Sequence, residues 1–154
     1  MILRKYTLKD LERHLELFLM NDITKVIDDK VRKQEKSWLK KVIANYKKNN
    51  PEFYALAIIL NKKLIGNCIA EKFDLNNKTL EIGFWIGKDY WNKGNTTKAL
   101  KIFLKEIVKK FKVKKVYAHC RKNNVASTRV LEKVGFVFIN EKKGMKIFCK
   151  EIRN

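Results

Sequence analysis

The chain alternates between stretches in which apolar residues recur every three to four positions and stretches in which they recur every second position. The first spacing is typical of an amphipathic helix, and the second is typical of a strand with one buried face. Short, continuous apolar runs rich in β-branched and aromatic residues also predict strands. The pattern therefore predicts four helices, over residues 8–19, 31–48, 95–111 and 125–134, and seven strands, over residues 2–6, 53–60, 63–73, 79–87, 113–120, 136–140 and 145–152.

Polar residues and turn formers mark the ends of these elements. Thr7, with Asp10 three positions later, predicts a capping box that opens the first helix. Asn49-Asn50-Pro51 ends the second helix. The short polar links 61–63 and 76–78 predict hairpins within an antiparallel meander. The first helix is expected to bury a stripe that consists of Leu8, Leu11, Leu15, Phe18 and Leu19.

This order of elements predicts a single domain of the α/β class, α+β in type, that covers residues 1–154. The chain has 154 residues, of which 45% are hydrophobic, and this is enough to bury one core. An internal repeat, or a linker rich in proline, glycine and serine, would indicate a division into domains, and the sequence contains neither.

The net positive charge of the chain is compatible with several classes of anionic partner and does not distinguish among them. The 36 lysine and arginine residues outnumber the 16 acidic ones and give a formal net charge of +20. Such a charge favours a nucleic acid, an acidic protein or a phosphate-rich cofactor. Lysine and asparagine are abundant along the whole chain, so the excess also fits a composition bias that maintains solubility. We favour that second interpretation over nucleic-acid binding.

The cysteines and histidines argue against metal and disulfide chemistry. Cys68, Cys120 and Cys149 are far apart and include no CxxC pair, so we expect reduced thiols. His14 and His119 are the only histidines, and no metal site is predicted. The sequence shows neither a signal-peptide core nor an apolar run of about 18 residues. It therefore predicts a cytoplasmic protein with no membrane partner.

The stretch YWNKGNTTKAL places Gly94 directly before the third predicted helix. The first N–H groups of a helix are free and lie at the positive end of its dipole, so an anion can bind there if no side chain blocks it. Asn95, Thr96 and Thr97 would present successive amides and two hydroxyls, with positive charge from Lys93 and Lys98 nearby. A plain turn is the alternative interpretation.

The run LEIGFWIGKDYWNKGNTTKAL, followed about two dozen residues later by NNVASTRVLEKVGF, resembles the acetyl-CoA-binding core of the GNAT superfamily of N-acetyltransferases. It is most similar to the RimJ/RimL-like branch, which acetylates the N-termini of ribosomal proteins. The resemblance implies the GNAT fold, in which about four helices pack on both faces of a mixed sheet of about six to seven strands, antiparallel in its first half. It also implies that residues 92–97 hold the pyrophosphate of coenzyme A and that the backbone of Phe84, Trp85 and Ile86 pairs with the pantetheine arm.

The loop departs from the usual family pattern, Gln/Arg-x-x-Gly-x-Gly/Ala, at its first and last places. Trp91, which is familiar from the ribosomal-protein branch, stands first, and Thr96 stands last. The bulk of Thr96 would either hold the phosphate slightly away or offer its hydroxyl as a donor in place of part of the lost contact. Asn92 stands where that branch often has glycine, and its side chain would likewise affect how closely the backbone approaches the phosphate.

Glu81 is the candidate general base. Acetyl transfer to an amine requires the amine to be neutral, so a base is useful near neutral pH. The period of two places Glu81, Gly83 and Trp85 on one face of their strand. Glutamates at the matching place are proposed as bases in some relatives, acting directly or through water. The alternative is a strand carboxylate that is exposed or paired with a nearby lysine.

Asn124 and Ser127 open the last predicted helix. The resemblance implies a contact between the Asn124 amide and the pantetheine arm, while its position also predicts an N-cap. Many relatives carry a tyrosine acid seven places after this asparagine, and here that place is Leu131. The resemblance then points to Ser127 as a proton donor or a hydrogen-bond donor at the coenzyme sulfur. Gly135 is expected to end the helix.

The sequence thus predicts an N-acetyltransferase that moves an acetyl group from acetyl-CoA, without a metal, to a primary amine by direct attack in a ternary complex. A protein or peptide N-terminus, such as that of a ribosomal protein, is favoured over a small amine, because a basic enzyme would repel polyamines unless Asp28, Asp29 and Glu35 made its mouth acidic. The alternatives are a non-catalytic acyl-CoA sensor and a basic nucleic-acid-binding protein on the same fold. Either a monomer or a homodimer is compatible with the sequence.

Overall fold

The protein is built around one mixed β-sheet of seven strands. A computed structural model describes residues 1–153. The strand order in the sheet is first, second, third, fourth, fifth, seventh, sixth. The strands are β1 (Ile2–Arg4), β2 (Phe53–Leu60), β3 (Lys63–Asp74), β4 (Thr79–Ile86), β5 (Lys115–Arg121), β6 (Val137–Lys142) and β7 (Met145–Glu151).

Four helices and two short 3-10 turns connect the strands. The helices are α1 (Leu11–Met20), α2 (Asp29–Asn45), α3 (Asn95–Phe111) and α4 (Val125–Lys133), and the turns are Leu8–Asp10 and Lys88–Tyr90. The seven strands, the four helices and the antiparallel β2-β3-β4 meander confirm the predicted fold class. None of the helices in residues 1–153 has the length and hydropathy needed to cross a bilayer.

Two apolar layers hold the helices to opposite faces of the sheet. On one face, Leu17 of α1 and Leu39 and Val42 of α2 pack against small and branched side chains of β2, including Ala55 and Ala57. On the other face, α3 and α4 pack over the centre of the sheet through a larger cluster that includes Leu100, Phe103, Ile107, Leu131, Ile82, Val116 and Phe148. This second layer supplies most of the buried apolar surface that stabilises the fold.

The start of the first helical segment follows the prediction, but its predicted buried face is only partly confirmed. The Thr7 N–H donates to Asp10 Oδ2 at 2.9 Å, as a capping box requires. Leu8 and Leu19, predicted as buried, are instead exposed. Leu8 lies in the 3-10 turn, where the helical period has not begun. Leu15 is buried as predicted, and Leu11 and Phe18 are partly buried. His14 and Leu17, outside the predicted stripe, are also buried, so the buried face is rotated toward them and Leu19 is left exposed.

The second helix begins two residues before its predicted start. Asp28 caps it, because its Oδ1 accepts a hydrogen bond from Val31 N at 2.9 Å. The helix ends at Asn45, whose side chain accepts from Glu52 N and so leads the chain into β2.

The Arg4–Asp10 pair fixes the chain between β1 and α1. Arg4 Nη1 donates to Asp10 Oδ2 at 2.9 Å, and Arg4 Nη2 donates to Asp10 Oδ1 at 2.8 Å. Burial by itself raises the pKa of Asp10, but the hydrogen bonds from Arg4 and Thr7 outweigh burial and the pKa is lowered. Because the folded-state pKa lies below the unfolded value, the carboxylate stabilises the fold above about pH 4, and this contribution is lost as the pH falls through the folded-state pKa.

We therefore expect Asp10→Asn to lower the free energy of unfolding by about 2 kcal/mol at neutral pH, since it weakens hydrogen bonds to a charged group. Urea denaturation followed by circular dichroism at a series of pH values measures this. The difference between the variant and the wild type should shrink as the pH falls below about 4. Glu132→Gln, at an exposed carboxylate on α4, serves as the control. An Asp10→Asn effect that stays constant down to about pH 2 would contradict the assignment.

Candidate active site

The parallel pair at the centre of the sheet stops pairing partway along its length. β4 and β5 pair through four registers, from Thr79↔Lys115 to Ile82↔Ala118. Beyond these residues β4 continues to Ile86 and β5 continues to Arg121 without further pairing between the two strands. The backbone edges that face each other there are free of a partner strand, so a ligand with peptide-like groups can bind between them.

Two helices begin at this open end of the pair. α3 follows β4 through residues 87–94, which include the 3-10 turn Lys88–Tyr90, and α4 follows β5 after the short link 122–124. Because β4 and β5 are parallel, both helix N-termini lie at the same edge of the sheet. The positive ends of two helix dipoles therefore flank the opening between the strands.

The loop before α3 leaves backbone amides free. In the described residues 1–153, the N–H groups of Asn95, Thr96 and Thr97 have no acceptor, and the first helical bond runs from Lys98 N to Gly94 O at 3.1 Å. Gly94 has φ +76°, and a Cβ added there would meet nothing within 4 Å. The three amides thus have no acceptor within the described residues and no side chain at Gly94 beside them, which is the arrangement that anion binding requires.

Side-chain hydrogen bonds hold this loop in place. Trp91 Nε1 donates to Ile86 O at 2.9 Å, and Asn95 Nδ2 donates to Tyr90 O at 3.2 Å. Lys93 Nζ donates to Asp89 O at 2.9 Å, while Lys98 is exposed. The departures from the family loop therefore have a structural role at Trp91, which ties the loop to the end of β4.

Asn92 replaces glycine at a position where the backbone is left-handed. Its φ is +58°, a conformation that asparagine adopts more readily than most residues other than glycine. The substitution therefore keeps the turn, and its exposed side chain is directed away from the core. Thr96 is partly exposed beside the free amides, so its effect on phosphate binding stays a prediction.

The part of β4 that no longer pairs with β5 includes Phe84, Trp85 and Ile86. The Ile86 carbonyl already accepts hydrogen bonds from Asn21 Nδ2 and Trp91 Nε1, each at 2.9 Å. That oxygen is therefore engaged within the protein. Gly87 N donates to Ile65 O at 2.7 Å, and because hydrogen-bonded pairs alternate in an antiparallel ladder, Trp85 is hydrogen-bonded to Asn67 of β3. Among the three residues predicted to pair with pantetheine, Phe84 is therefore the one whose backbone N–H and C=O both face the open edge with no partner in the described part of the chain.

Asn124 caps α4, as predicted. Its Oδ1 accepts from Ser127 N at 3.1 Å, and its exposed side chain keeps the amide N–H₂ group for a ligand. Ser127 lies partly exposed in the first turn of α4. Leu131, at the place where many relatives have a tyrosine, is fully buried in the core. The roles of Asn124 and Ser127 toward a ligand stay predictions.

Glu81 lies at the base of the opening and contacts two cationic or potentially cationic groups. Its Oε1 is 2.6 Å from His119 Nδ1, and its Oε2 is 3.0 Å from Lys72 Nζ. The side chains of Glu81 and His119 are 16% and 29% exposed, whereas that of Lys72 is 68% exposed. The predicted ion pair between Glu81 and a nearby lysine is present, and His119 joins it.

His119 is the residue that sequence reasoning missed. It belongs to β5, one residue past the last position that pairs with β4. Alternation in YAHC places it on the same face as Tyr117, and Tyr117 pairs with Glu81. The signal was therefore present in the strand pattern, but it could be used only once the parallel register of two strands far apart in sequence was known.

The sheet beyond Glu81 is not covered by the first two helices. Tyr117, Cys149 and Val137 lie directly beside Glu81 in successive strand registers, so their side chains share its face. Tyr117 and Cys149 are partly exposed and Val137 is exposed. Burial raises the pKa of the Cys149 thiol, so it is held in its protonated form. The face of the sheet beside Glu81 is therefore open and mainly apolar.

On the other side of Glu81, aromatic side chains line the junction of α1, α2 and β4. His14 stacks on Trp38 with ring centroids 5.2 Å apart and lies 5.9 Å from the ring of Trp85. Glu35 Oε2 lies 2.8 Å from His14 Nε2, and Asp28 caps α2. Two of the three carboxylates considered as an acidic mouth are therefore engaged within the protein.

Comparison with known proteins identifies the class. Residues 1–137 match the model of the acetyltransferase (GNAT) domain family. The chain belongs to this family and is an N-acetyltransferase. It is 26% identical over 135 residues, 88% of this chain and 78% of the other, to the uncharacterized N-acetyltransferase YnaD of Bacillus subtilis (strain 168). It is also 30% identical over 86 residues, 53% of this chain and 57% of the other, to a probable spermine N(1)-acetyltransferase of Bacillus subtilis subsp. natto (strain BEST195).

Solved structures of acetyltransferases have the same fold as the chain. RimL, a ribosomal L7/L12 α-N-protein acetyltransferase solved with coenzyme A, superposes with a TM-score of 0.82 at 15% identity, covering 97% of this chain and 93% of that one. The microcin C7 self-immunity acetyltransferase MccE, solved with acetyl-CoA and AMP, gives 0.79 at 20% identity, covering 97% and 91%. These likenesses confirm the predicted fold.

Close contact between the backbones of β3 and β4 at Gly66 positions the end of β4. A Cβ added to Gly66 would lie 2.2 Å from Trp85 O and 2.7 Å from Ile86 Cα. These are backbone atoms, so the strands would have to move apart. We expect Gly66→Ala to lower the free energy of unfolding by about 3 kcal/mol, in the upper range of overpacking effects.

Gly83→Ala is the matched control in the neighbouring strand, because its Cβ would meet only the Ile69 side chain, at 3.2 Å. Urea denaturation of both variants compares the two costs, and Gly83→Ala should lose less stability. Equal losses would show that the close approach at Gly66 does not hold β4 in place.

Proposed function

We propose that this N-acetyltransferase binds acetyl-CoA at the open end of the β4–β5 pair and transfers the acetyl group to a primary amine, favouring the N-terminus of a protein or peptide. The observation that carries the proposal is the set of free amides at the start of α3, adjacent to two unpaired strand edges. A diphosphate and a peptide-like arm are the chemical groups that such neighbours complement.

The coenzyme would be held by three parts of the chain. The loop 92–97 would bind the pyrophosphate through backbone amides, the Thr96 and Thr97 hydroxyls and the charge of Lys93 and Lys98. The backbone of β4 at Phe84, which faces the open edge, would pair with the pantetheine arm. The Asn124 side-chain N–H₂ group would donate to the same arm from the other side of the opening.

The reaction is a direct transfer within a ternary complex. The amine nitrogen attacks the thioester carbonyl carbon, so an N–C bond forms and the C–S bond breaks. The proton of the amine passes to the Glu81–His119 pair, and coenzyme A leaves as a thiolate that a proton then neutralises. Backbone N–H groups of β4 would stabilise the negative charge that develops on the carbonyl oxygen.

Ser127 would assist the leaving sulfur. It belongs to the first turn of α4, at the sheet edge where the coenzyme would bind, and in residues 1–153 its hydroxyl has no hydrogen-bond partner. A thiol has a low enough pKa, about 8.5, that hydrogen bonding to sulfur can be sufficient without full proton donation.

The shape and charge of the acceptor side support a protein N-terminus over a polyamine. The floor formed by Tyr117, Cys149 and Val137 is open and mainly apolar. Glu35 is paired with His14, and Asp28 caps a helix, so little unpaired negative charge remains to attract a polycation to a chain of net charge +20. A solved structure with the same fold, RimL, is a ribosomal-protein acetyltransferase, and this also supports a protein N-terminus as the acceptor. The relative named as a probable spermine acetyltransferase makes polyamines the second candidate.

One observation favours a non-catalytic acyl-CoA sensor as an alternative. Leu131 is buried at the place where many relatives have a tyrosine acid, so transfer depends on weaker donors. A free-thiol assay over peptides with different N-termini and over polyamines separates these cases. Steady release of coenzyme A with a peptide supports the proposal, release with spermine supports the second candidate, and tight binding of acetyl-CoA without turnover supports the sensor.

Gly94→Ala tests the coenzyme site. The added methyl group would stand where the phosphate is expected, so we expect the affinity for coenzyme A to fall about tenfold or more in isothermal titration calorimetry. Gly144→Ala is a closely matched control, because Gly144 has φ +78° and a methyl group added there would also meet nothing within 4 Å. Both variants carry the same backbone strain, of about 1 kcal/mol, but only Gly94→Ala should lose affinity. Equal affinities would place the diphosphate elsewhere.

Ser127→Ala tests the sulfur contact. With an active acceptor, we expect kcat to fall about fivefold to tenfold while the affinity for coenzyme A changes little, since the hydroxyl acts mainly as sulfur departs. Ser127→Thr, which keeps a hydroxyl, should retain more activity than Ser127→Ala. Full activity in Ser127→Ala would remove this residue from the mechanism.

A further inference from the structure

Both carboxylate oxygens of Glu81 are already engaged. Oε1 lies 2.6 Å from His119 Nδ1 and Oε2 lies 3.0 Å from Lys72 Nζ. A base must approach the proton that it removes to hydrogen-bond distance. An amine could reach Glu81 directly only by displacing one of these two partners.

The second nitrogen of His119 is in a different situation. A carboxylate accepts hydrogen bonds and donates none when it is ionised, so it holds a proton on the facing Nδ1. The lone pair of a neutral imidazole then lies on Nε2, and within residues 1–153 that nitrogen contacts no hydrogen-bonding partner. The His119 ring is partly exposed, so Nε2 can meet a substrate.

Lys72 is directed to Glu81 by an irregularity in β3. The register of β3 with β4 shifts between Glu71 and Asp74, and Lys72 adopts φ +51°. Such a conformation is uncommon for a residue with a Cβ and is maintained by its surroundings. The ion pair raises the pKa of Lys72, so the lysine stays protonated and Glu81 keeps a positive partner. Because the side chain of Lys72 is mostly exposed, its ion pair with Glu81 adds little to the stability of the fold. Its main effect is to hold the Glu81 carboxylate in position.

His119 also stands where the acceptor is expected. It follows Ala118, the last residue of β5 that pairs with β4, and therefore lies at the point where the strands separate. Its face of the sheet is the open face that carries Tyr117 and Cys149. The thioester at the end of a pantetheine arm laid along β4 would reach this point, and the amine would approach it over the open floor.

We propose that His119 Nε2 takes the proton from the acceptor amine, with Glu81 as a positioning residue that holds the imidazole and Lys72 as a positioning residue that holds Glu81. The inference deepens the proposed function and rests on it. As the N–C bond forms, the N–H bond of the amine breaks and its electron pair stays on nitrogen, and the proton bonds to Nε2. The imidazolium formed is stabilised by the Glu81 carboxylate, and its proton later passes to solvent or to the departing thiolate.

Steady-state kinetics of three variants tests the assignment. His119→Ala is expected to lower kcat/KM for the amine about 10²-fold to 10³-fold, the range for loss of a general base, with unchanged affinity for coenzyme A. Glu81→Gln is expected to lower kcat/KM for the amine by only about tenfold, because the amide oxygen of glutamine still accepts from Nδ1–H of His119 and keeps the ring oriented. Glu71→Gln is the control, because Glu71 pairs with Glu81 in the register of β3 with β4. This variant should leave kcat/KM for the amine unchanged.

Chemical rescue separates a base from a structural group. Added imidazole should restore part of the activity of His119→Ala and none of the activity of Glu81→Gln. His119→Gln fills the same space without a basic nitrogen, so it reports the role even if the alanine variant folds poorly. A loss in Glu81→Gln that equals or exceeds the loss in His119→Ala, with no rescue by imidazole, would overturn the proposal and assign the base to Glu81.

The tautomer gives a readout that needs no acceptor. The chain has two histidines, so long-range ¹H–¹⁵N spectra of the wild type and His119→Gln assign the ring nitrogens of His119 by difference. A proton on Nδ1 and none on Nε2 is expected, and a proton on Nε2 of the neutral ring would overturn the proposal. If the tautomer is as expected but no amine is acetylated by the wild type, the proposed function fails while the Glu81–His119 pairing stands.

Discussion

The site depends on two parallel strands that cease to pair after four residues. β4 and β5 are joined from Thr79↔Lys115 to Ile82↔Ala118 and are free of each other beyond that point. Backbone groups that lose a partner inside a fold require another one. Here the unpaired edges open toward solvent at the end of the sheet where α3 and α4 begin. One interruption of the β ladder therefore produces a slot for an extended ligand, and the chain connectivity adds two positive helix ends beside it.

The surroundings of this slot are fixed by contacts that come from distant parts of the chain. Gly66 lets β3 approach the backbone of Trp85 and Ile86 closely. Asn21, at the end of α1, donates to the Ile86 carbonyl and accepts from Lys88 N, and Arg13 donates to the hydroxyl of Tyr90. The loop 92–97 is thus held from β4, from α1 and from its own side chains. A loop held in this way is preorganised for a ligand, which lowers the ordering cost of binding.

The positive charge of the chain is not distributed as a simple binding stripe. Exposed lysines occur on α2, α3 and α4 and in several strands, yet two of those near the site have particular partners, with Lys93 on the Asp89 carbonyl and Lys72 on Glu81. The net charge of +20 increases the attraction of any anionic ligand at long range. Selection among anions depends on the directed amides at the start of α3, which a general excess of lysine cannot provide.

The sequence by itself determined most of the fold. Apolar periodicity placed all four helices and seven strands, and the cap residues Thr7 and Asn124 were correctly interpreted, because periodicity and capping are local properties. It also identified Gly94 and the amides that follow it, since a glycine before an apolar helical run is visible in one short stretch. The boundaries of α2, by contrast, depended on the cap at Asp28, and the buried stripe of α1 depended on how the helix lies against the sheet.

Only the tertiary structure decided which chemical groups meet at Glu81. His119 and Lys72 are 38 and nine positions from Glu81 in the chain, and their approach follows from the parallel register of β4 with β5 and from the bulge in β3. Registers between distant strands are set by the packing of the whole sheet, to which each residue adds a small amount of free energy, so no local pattern encodes them. The sequence therefore predicted a carboxylate on the correct face, while the fold supplied the imidazole that faces it.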